Sequence, residues 1–499
     1  MRVRGARARA TLCCVFLLAG CAVGPDFERP DAAHTGSFVE AALPHQTPAN
    51  ESADSPAQAL RAGNDLAHDW WTLYHSDPLN QFIAAALRDN ASLASSEAAL
   101  RLAQETYIAN QGNLLFPAVN AQGGVSRERA SGAAIGQNFP GKPFSLYNAG
   151  VNVSYTFDLF GGVRRQLEAL QAQADYQQEQ VRAARLSLTA NIVTAVVRDV
   201  QLRDQVQALH EVEKLQRSGL AIVERRFALG AVTRTDVLAQ RTALAQTVAA
   251  VAPLERQRAQ LRHQLATLAG KAPSQIDLSA VEAAPLQLPV DIPVSLPSEL
   301  VRQRPDILAA EALLHVASAQ VGVATANLYP NITLSGNYGF TTLTASNLFK
   351  PQSVVWGLTG SLVQPVFRGG SLGAERRAAV AAFDQSASAY RQTVLVAFEN
   401  VADALQALDS DAQALQAQAD AYAQAKAGAD LAQRQFDVGA ASFLSLLNAQ
   451  QQYQQAAVNL AQSRADRLAD TAALFQALGG GWWNAPAADA PAKPVVSSN

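Results

Sequence analysis

The sequence predicts an α+β membrane protein. Four membrane-crossing β-strands per chain would join those of two further copies in a shared twelve-stranded barrel, which continues into a long α-helical barrel. Three observations predict it. Two stretches, 163–228 and 371–436, are almost free of helix breakers. The chain is written twice, at an offset of about 210 residues. Four short segments alternate apolar residues with small, uncharged polar ones. The composition agrees: the 499 residues are 49 % hydrophobic, yet only 7 % aromatic and 16 % charged. An average soluble domain carries roughly 25 % charged residues. The apolar share is largely Ala, which packs closely but adds little hydrophobic area. A formal charge of −3 offers no basic face to nucleic acid.

The N-terminus reads as an address. Arg2, Arg4, Arg7 and Arg9 precede the apolar run Leu12–Ala19, which is too short to span a bilayer as a helix. It ends Leu18-Ala19-Gly20-Cys21, a pattern that resembles a bacterial lipobox, so cleavage before Cys21 and acylation of its thiol are expected. Ala22 and Val23 follow, without the Asp that holds many lipoproteins at the inner membrane, which points to the outer membrane of a Gram-negative cell. Cys13 and Cys14 would leave with the signal and Cys21 would be acylated, so the mature chain would hold no free thiol.

The duplication shows in three pairs of passages in the same order. Asn113-Leu114-Leu115-Phe116-Pro117 answers to Asn327-Leu328-Tyr329-Pro330. Phe160-Gly161-Gly162 answers to Phe367-Arg368-Gly369-Gly370, and Phe227-Ala228-Leu229-Gly230 to Phe436-Asp437-Val438-Gly439. Each half reads helix, two strands, long helix, helix. A bridge punctuated by Pro273, Pro285, Pro289, Pro293 and Pro297 joins them.

In the first strand Val119, Ala121, Gly123 and Val125 oppose Asn120, Gln122, Gly124 and Ser126. In the second, Tyr147, Ala149, Val151, Val153, Tyr155 and Phe157 oppose Asn148, Gly150, Asn152, Ser154 and Thr156. The third sets Ile332, Leu334, Tyr338 and Phe340 against Asn331, Thr333, Ser335 and Asn337, and the fourth Trp356, Leu358 and Leu362 against Gly357, Thr359 and Ser361. A half-buried soluble strand alternates too. The uncharged polar face suits a water-filled lumen, and the lengths suit a tilted crossing of roughly 9 to 11 residues. Four strands cannot close, and an open edge in lipid leaves backbone groups unsatisfied at several kcal/mol each. Two copies would make a barrel filled by its own side chains, whereas three leave a channel.

Residues 163–228 contain Gly219 and no Pro, giving a helix of roughly 100 Å. Residues 371–436 repeat the pattern with a seven-residue spacing: Val380, Phe383, Ala387, Tyr390, Val394, Ala397, Val401, Ala404, Leu408. Leu167, Leu170, Ala174, Val181, Ala184 and Leu188 show it more weakly. A sustained heptad means helices packed at shallow angles. Gly230 and Gly439, just past the rods, suit left-handed C-caps. The seven His are scattered without metal-ligand spacing, and no phosphate loop or nucleophile elbow occurs, so no enzyme, metal or cofactor is expected beyond the lipid on Cys21.

Cys21-Ala22-Val23-Gly24-Pro25-Asp26-Phe27 resembles the mature N-terminus of TolC/OprM-type outer-membrane factors, the nodulation-protein-T branch. So do Trp70-Trp71-Thr72-Leu73-Tyr74, Arg304-Pro305-Asp306 leading into Glu311, and Leu478-Gly479-Gly480-Gly481-Trp482. The resemblance implies a homotrimeric, passive exit duct of a tripartite efflux system, opened by a periplasmic adaptor and fed by an inner-membrane RND or ABC pump. It also implies a division into signal peptide (1–20), lipidated arm and equatorial segment (21–77), first repeat (78–270), equatorial linker (271–297), second repeat (298–479) and tail (480–499). By motif match, Leu444 and Asn448 would project rings into the lumen as a periplasmic gate. Many relatives have Asp at the position of Asn448, and an Asn ring carries no net charge. Arg234, Thr235 and Asp236 follow the first turn, and Asp236 matches a position that links neighbouring helices; Asp is also favourable at any helix N-terminus. Two alternatives remain open: a type I-like secretion duct, and a structural coiled-coil envelope lipoprotein.

Overall fold

The computed structural model describes residues 22–31, 37–38, 46–49, 55–129, 141–283 and 285–485. The expected signal peptide, the acylation residue Cys21 and the tail beyond 485 lie outside the described residues. The chain divides into two units. One comprises Met1–Pro30, Ala99–Gln177 and Ala310–Tyr390; the other comprises Asp31–Ala98, Gln178–Ala309 and Arg391–Asn499.

The α-helices are α1 (Asp77–Asp89), α2 (Ala91–Leu115), α3 (Gly162–Ala228), α4 (Arg234–Leu268), α5 (Ser279–Ala283), α6 (Pro297–Gln303), α7 (Pro305–Ala326), α8 (Ser371–Asp437) and α9 (Phe443–Ala477). The strands are β1 (Ala59–Ala62), β2 (Ala118–Glu128), β3 (Phe144–Phe157), β4 (Asp291–Val294), β5 (Asn331–Thr342) and β6 (Val354–Val363). The rods α3 and α8 are each 67 residues long. The helix before the strands is broken in both halves, where the sequence reading has one. Asn90 makes the first break: its Oδ1 accepts the Leu93 amide at 2.9 Å, capping α2, while its Nδ2 donates to the Leu268 carbonyl. Pro305 makes the second, because it cannot donate to the helix before it.

The first unit holds the four-stranded sheet, ordered β2-β3-β5-β6 and antiparallel throughout. Register puts all four apolar faces on one side. Ala121 lies opposite Val151, Val151 opposite Tyr338, and Tyr338 opposite Trp356. The other side carries the row Asn120, Asn152, Asn337, Gly357 and the row Thr156, Thr333, Ser361. The β3–β5 approach is close at Gly150 and Gly339: a Cβ on Gly339 would lie 2.6 Å from the Ala149 carbonyl oxygen and 2.7 Å from Gly150 Cα. Below the sheet, the start of α3 packs on α7. Residues 22–31 run along this pair as a strap. The Val23 amide donates to the Phe160 carbonyl, Phe27 stacks on His315 at 4.2 Å, and Asp26 and Arg29 pair with Arg165 and Glu311.

The second unit holds the C-terminal parts of α3 and α8, with α4, α9 and a belt segment that carries β1 and β4. In the belt β1 pairs with β4 in parallel. Arg467 of α9 is fully buried and donates to Gln58, Ser55, Thr47 and the Pro56 carbonyl, fixing the strap that carries β1. The heptad seam of α8 is closed from Val394 through Ala397, Val401, Ala404 and Leu408, all buried.

Candidate functional site

Two surfaces carry chemistry suited to transport: the polar face of the sheet and the end of the helical rods. The sheet's apolar face is unusually exposed for a folded chain. Trp356 is 74 % exposed, Leu358 70 % and Val119 64 %. Aromatic residues band both ends of that face, with Tyr155 and Phe157 in edge contact at one end and Tyr338, Phe340 and Phe349 at the other. Such banding fits the two interfaces of a bilayer. The opposite face is lined by Asn, Gln, Ser, Thr and Gly along its middle, with Glu128 at the end of β2 accepting from Ser126. Asn148 and Asn337 lie beside Gly124 and Gly357, where a Cβ would stand within 3 Å of their amide oxygens. Glycine there lets the amides lie flat across the strand. The outer strands β2 and β6 each have an edge that no strand of the chain pairs, among the described residues.

At the far end of the rods both turns have the same construction. Gly230 and Gly439 are left-handed, with φ of +72° and +77°. In each, the glycine amide donates three residues back (to Phe227 and Phe436) and the next amide five residues back (to Arg226 and Gln435). This double bond satisfies carbonyls that a helix end leaves orphaned. Thr233 and Ser442 then cap α4 and α9. Asp236 belongs to the first cap: its carboxylate accepts from the Thr233 amide and hydroxyl, both at 2.8 Å. Arg234 and Thr235 are exposed. Leu444 is 64 % exposed and Asn448 is exposed one turn later on the same face of α9, while Phe443, Leu446 and Gln450 face inward.

Between the four helix ends lies an apolar knot of Val223, Val237, Phe436, Phe443 and Leu446. Arg226 ties the two halves across it. Its guanidinium sits 4.4 Å over the Phe436 ring and donates to the Asp437 carbonyl at 2.7 Å. Sequence reasoning missed Arg226, because an Arg near a helix C-terminus is ordinary. The signature motifs of the belt also meet. Trp482 Nε1 donates to the Gln303 carbonyl, Arg182 stacks 3.6 Å over the Trp482 ring, and Arg304 holds Asp306 while donating to the Ala397 and Ala477 carbonyls.

Comparison with known proteins agrees with this geometry. The family model described as outer membrane efflux protein matches residues 82–271 and 296–480. The pyoverdine export outer membrane protein OpmQ of Pseudomonas putida is 31 % identical over 417 residues, covering 83 % of this chain and 88 % of that protein. The probable outer membrane lipoprotein SilC of Salmonella typhimurium is 28 % identical over 480 residues, 94 % of this chain and 97 % of that one. Among solved structures, the outer-membrane channel OprN superposes with a TM-score of 0.82 at 28 % identity, covering 93 % of this chain and all of that one.

Proposed function

The chain belongs to the outer membrane efflux protein family, and from that premise we propose that it works as a passive trimeric duct for drugs or other small toxic compounds. A periplasmic adaptor would open it and an inner-membrane RND or ABC pump would feed it. The observation that carries the reading is the four-stranded sheet, apolar on one face and polar on the other, with both edges open. Three copies would pair β6 of one chain with β2 of the next and leave no backbone edge in lipid.

The internal duplication supports the same assembly. In the first unit α7 packs on the start of α3, where Gly322 faces Arg165 and His315 bonds to Glu168, and Ala169 and Ala172 on that side of α3 are buried. Their counterparts by repeat are α2 and the start of α8, which keep Leu102, Ile108 and Val380 exposed. A second copy would supply to α8 the cover that α3 already has. Cys21 directly precedes the strap and would carry the N-acyl and diacylglycerol groups; SilC is named a lipoprotein. No cofactor, metal or catalytic residue enters this reading, and the duct is not an enzyme. We divide the mature chain as arm (21–77), repeats (78–270 and 298–479), linker (271–297) and tail (480–499).

Leu444 and Asn448 would ring the lumen at the periplasmic end as the gate, Leu444 as the constriction and Asn448 as an uncharged ring. Gly230, Gly439 and the capped segment Arg234-Thr235-Asp236 would shape the tip. In planar bilayers Leu444→Ala should raise single-channel conductance severalfold, and unchanged conductance would remove the gate assignment. Deleting the gene should sensitise cells to exported drugs. An unaltered drug panel would instead favour the secretion-duct reading.

A further inference from the structure

The tip is joined to each rod through a glycine. Gly219 in α3 stands eleven residues before Gly230, and Gly428 in α8 stands eleven residues before Gly439. Beyond the first three residues of each rod, these are the only glycines in either helix. Eleven residues make about three turns, so each glycine has the same height and phase relative to its turn. Both halves of the duplicated chain carry the feature.

What surrounds Gly219 differs from the apolar knot below it. Gln216, Gln240 and Gln450 are each at most 3 % exposed, and the Oε1 of all three lacks a hydrogen-bond partner. Gln240 Nε2 donates to the Gln216 carbonyl and would lie 3.3 Å from a Cβ at 219. The preceding residue, Ser218, turns its hydroxyl onto the Lys214 carbonyl at 3.0 Å. Such a back-bond competes with the helix's own bond, and a Ser-Gly pair is a recurrent site of helix bending. A Cβ on Gly428 would meet nothing within 4 Å, so no close packing requires glycine there. A poorly satisfied polar layer at Gly219 therefore separates α3 from a well-packed apolar end, α8 carries its glycine at the matching height, and glycine is the residue that most weakens a helix short of proline.

We propose that Gly219 and Gly428 are paired hinges, and that the tip bends there as one body when the gate opens. The knot of Val223, Val237, Phe436, Phe443 and Leu446, with the Arg226–Phe436 contact, binds all four helix ends and makes the two hinges move together. Bending admits water to the three glutamine oxygens that the straight state leaves unpartnered, which offsets the packing lost. The hinge rests on the reading of the tip as a gate; its mechanics are measurable without it.

Hydrogen–deuterium exchange on the purified full-length protein should show residues 214–223 and 424–433 exchanging at least tenfold faster than the same helices one heptad nearer the belt. The Gly219→Ala/Gly428→Ala double variant should abolish that difference. In cells with the native partners the double variant should lower drug tolerance at least fourfold at normal abundance, while Gly373→Ala, at the far end of α8, leaves it unchanged. Uniform protection along the wild-type rods overturns the hinge, as does a double variant that exports like wild type. If deleting the whole gene leaves drug tolerance unaltered, the duct reading fails, and the exchange profile still decides the hinge.

Discussion

Asp411 and Asp236 show how little a residue's type fixes its role. Asp236 is spent on its own helix, where an acceptor at the third position closes a capping box with Thr233. Asp411, in the middle of α8, is held where a carboxylate is unwelcome. Burial first, and then the neighbouring Asp470 and Asp466, push its pKa up to about 7. The folded chain thus keeps a proton that the unfolded chain releases near pH 4. The contribution of Asp411 to stability should fall as pH rises from about 4 to about 7 and then level off. Asp411→Asn should flatten that profile: its melting midpoint should exceed wild type at pH 8 and match it at pH 5. Equal midpoints at both pH values would show that the group titrates normally. Nothing in the sequence around Asp411 signals this, because the two other carboxylates come from α9.

At the scale of elements, the strands and rods were legible because each obeys a period. Alternation from Tyr147 to Phe157 marks β3, and the run up to Phe227, without Pro and with Gly219 as its one glycine after Gly162, marks α3. Register was not legible. It brings Gly150 opposite Gly339 and leaves no room for a side chain on Gly339, where a Cβ would clash with the backbone of β3, while a Cβ on Gly150 would make only a tight contact. Gly339→Val should therefore block β3–β5 pairing and abolish SDS-resistant oligomers in outer-membrane fractions, whereas Gly360→Ala, with open space around it, should not. The breaks at Asn90 and Pro305 were also missed. Asn90 is a helix start only because Leu268 and Leu93 stand where its amide can reach both.

For the whole molecule, closure decides. A sheet with two unpaired edges and an exposed apolar face is not a finished structure in lipid or in water. In detergent the protein should run at three chains per particle by native mass spectrometry. Pro in the middle of β6, as Thr359→Pro, should leave monomers with intact helical signal; a stable monomeric wild type would refute the shared barrel. The sequence by itself determined the class of object: a duplicated chain, membrane strands, and rods whose narrow Ala-rich seams suit a wall instead of a filled core. Periodicity is local, so one chain suffices to read it. Only the tertiary structure decided which side chains meet. It showed the common polar face of four strands, the strap over α3 and α7, the knot between the tips, and the glutamines around Gly219. Those contacts join residues tens to hundreds of positions apart, and no local pattern encodes a distance of that kind.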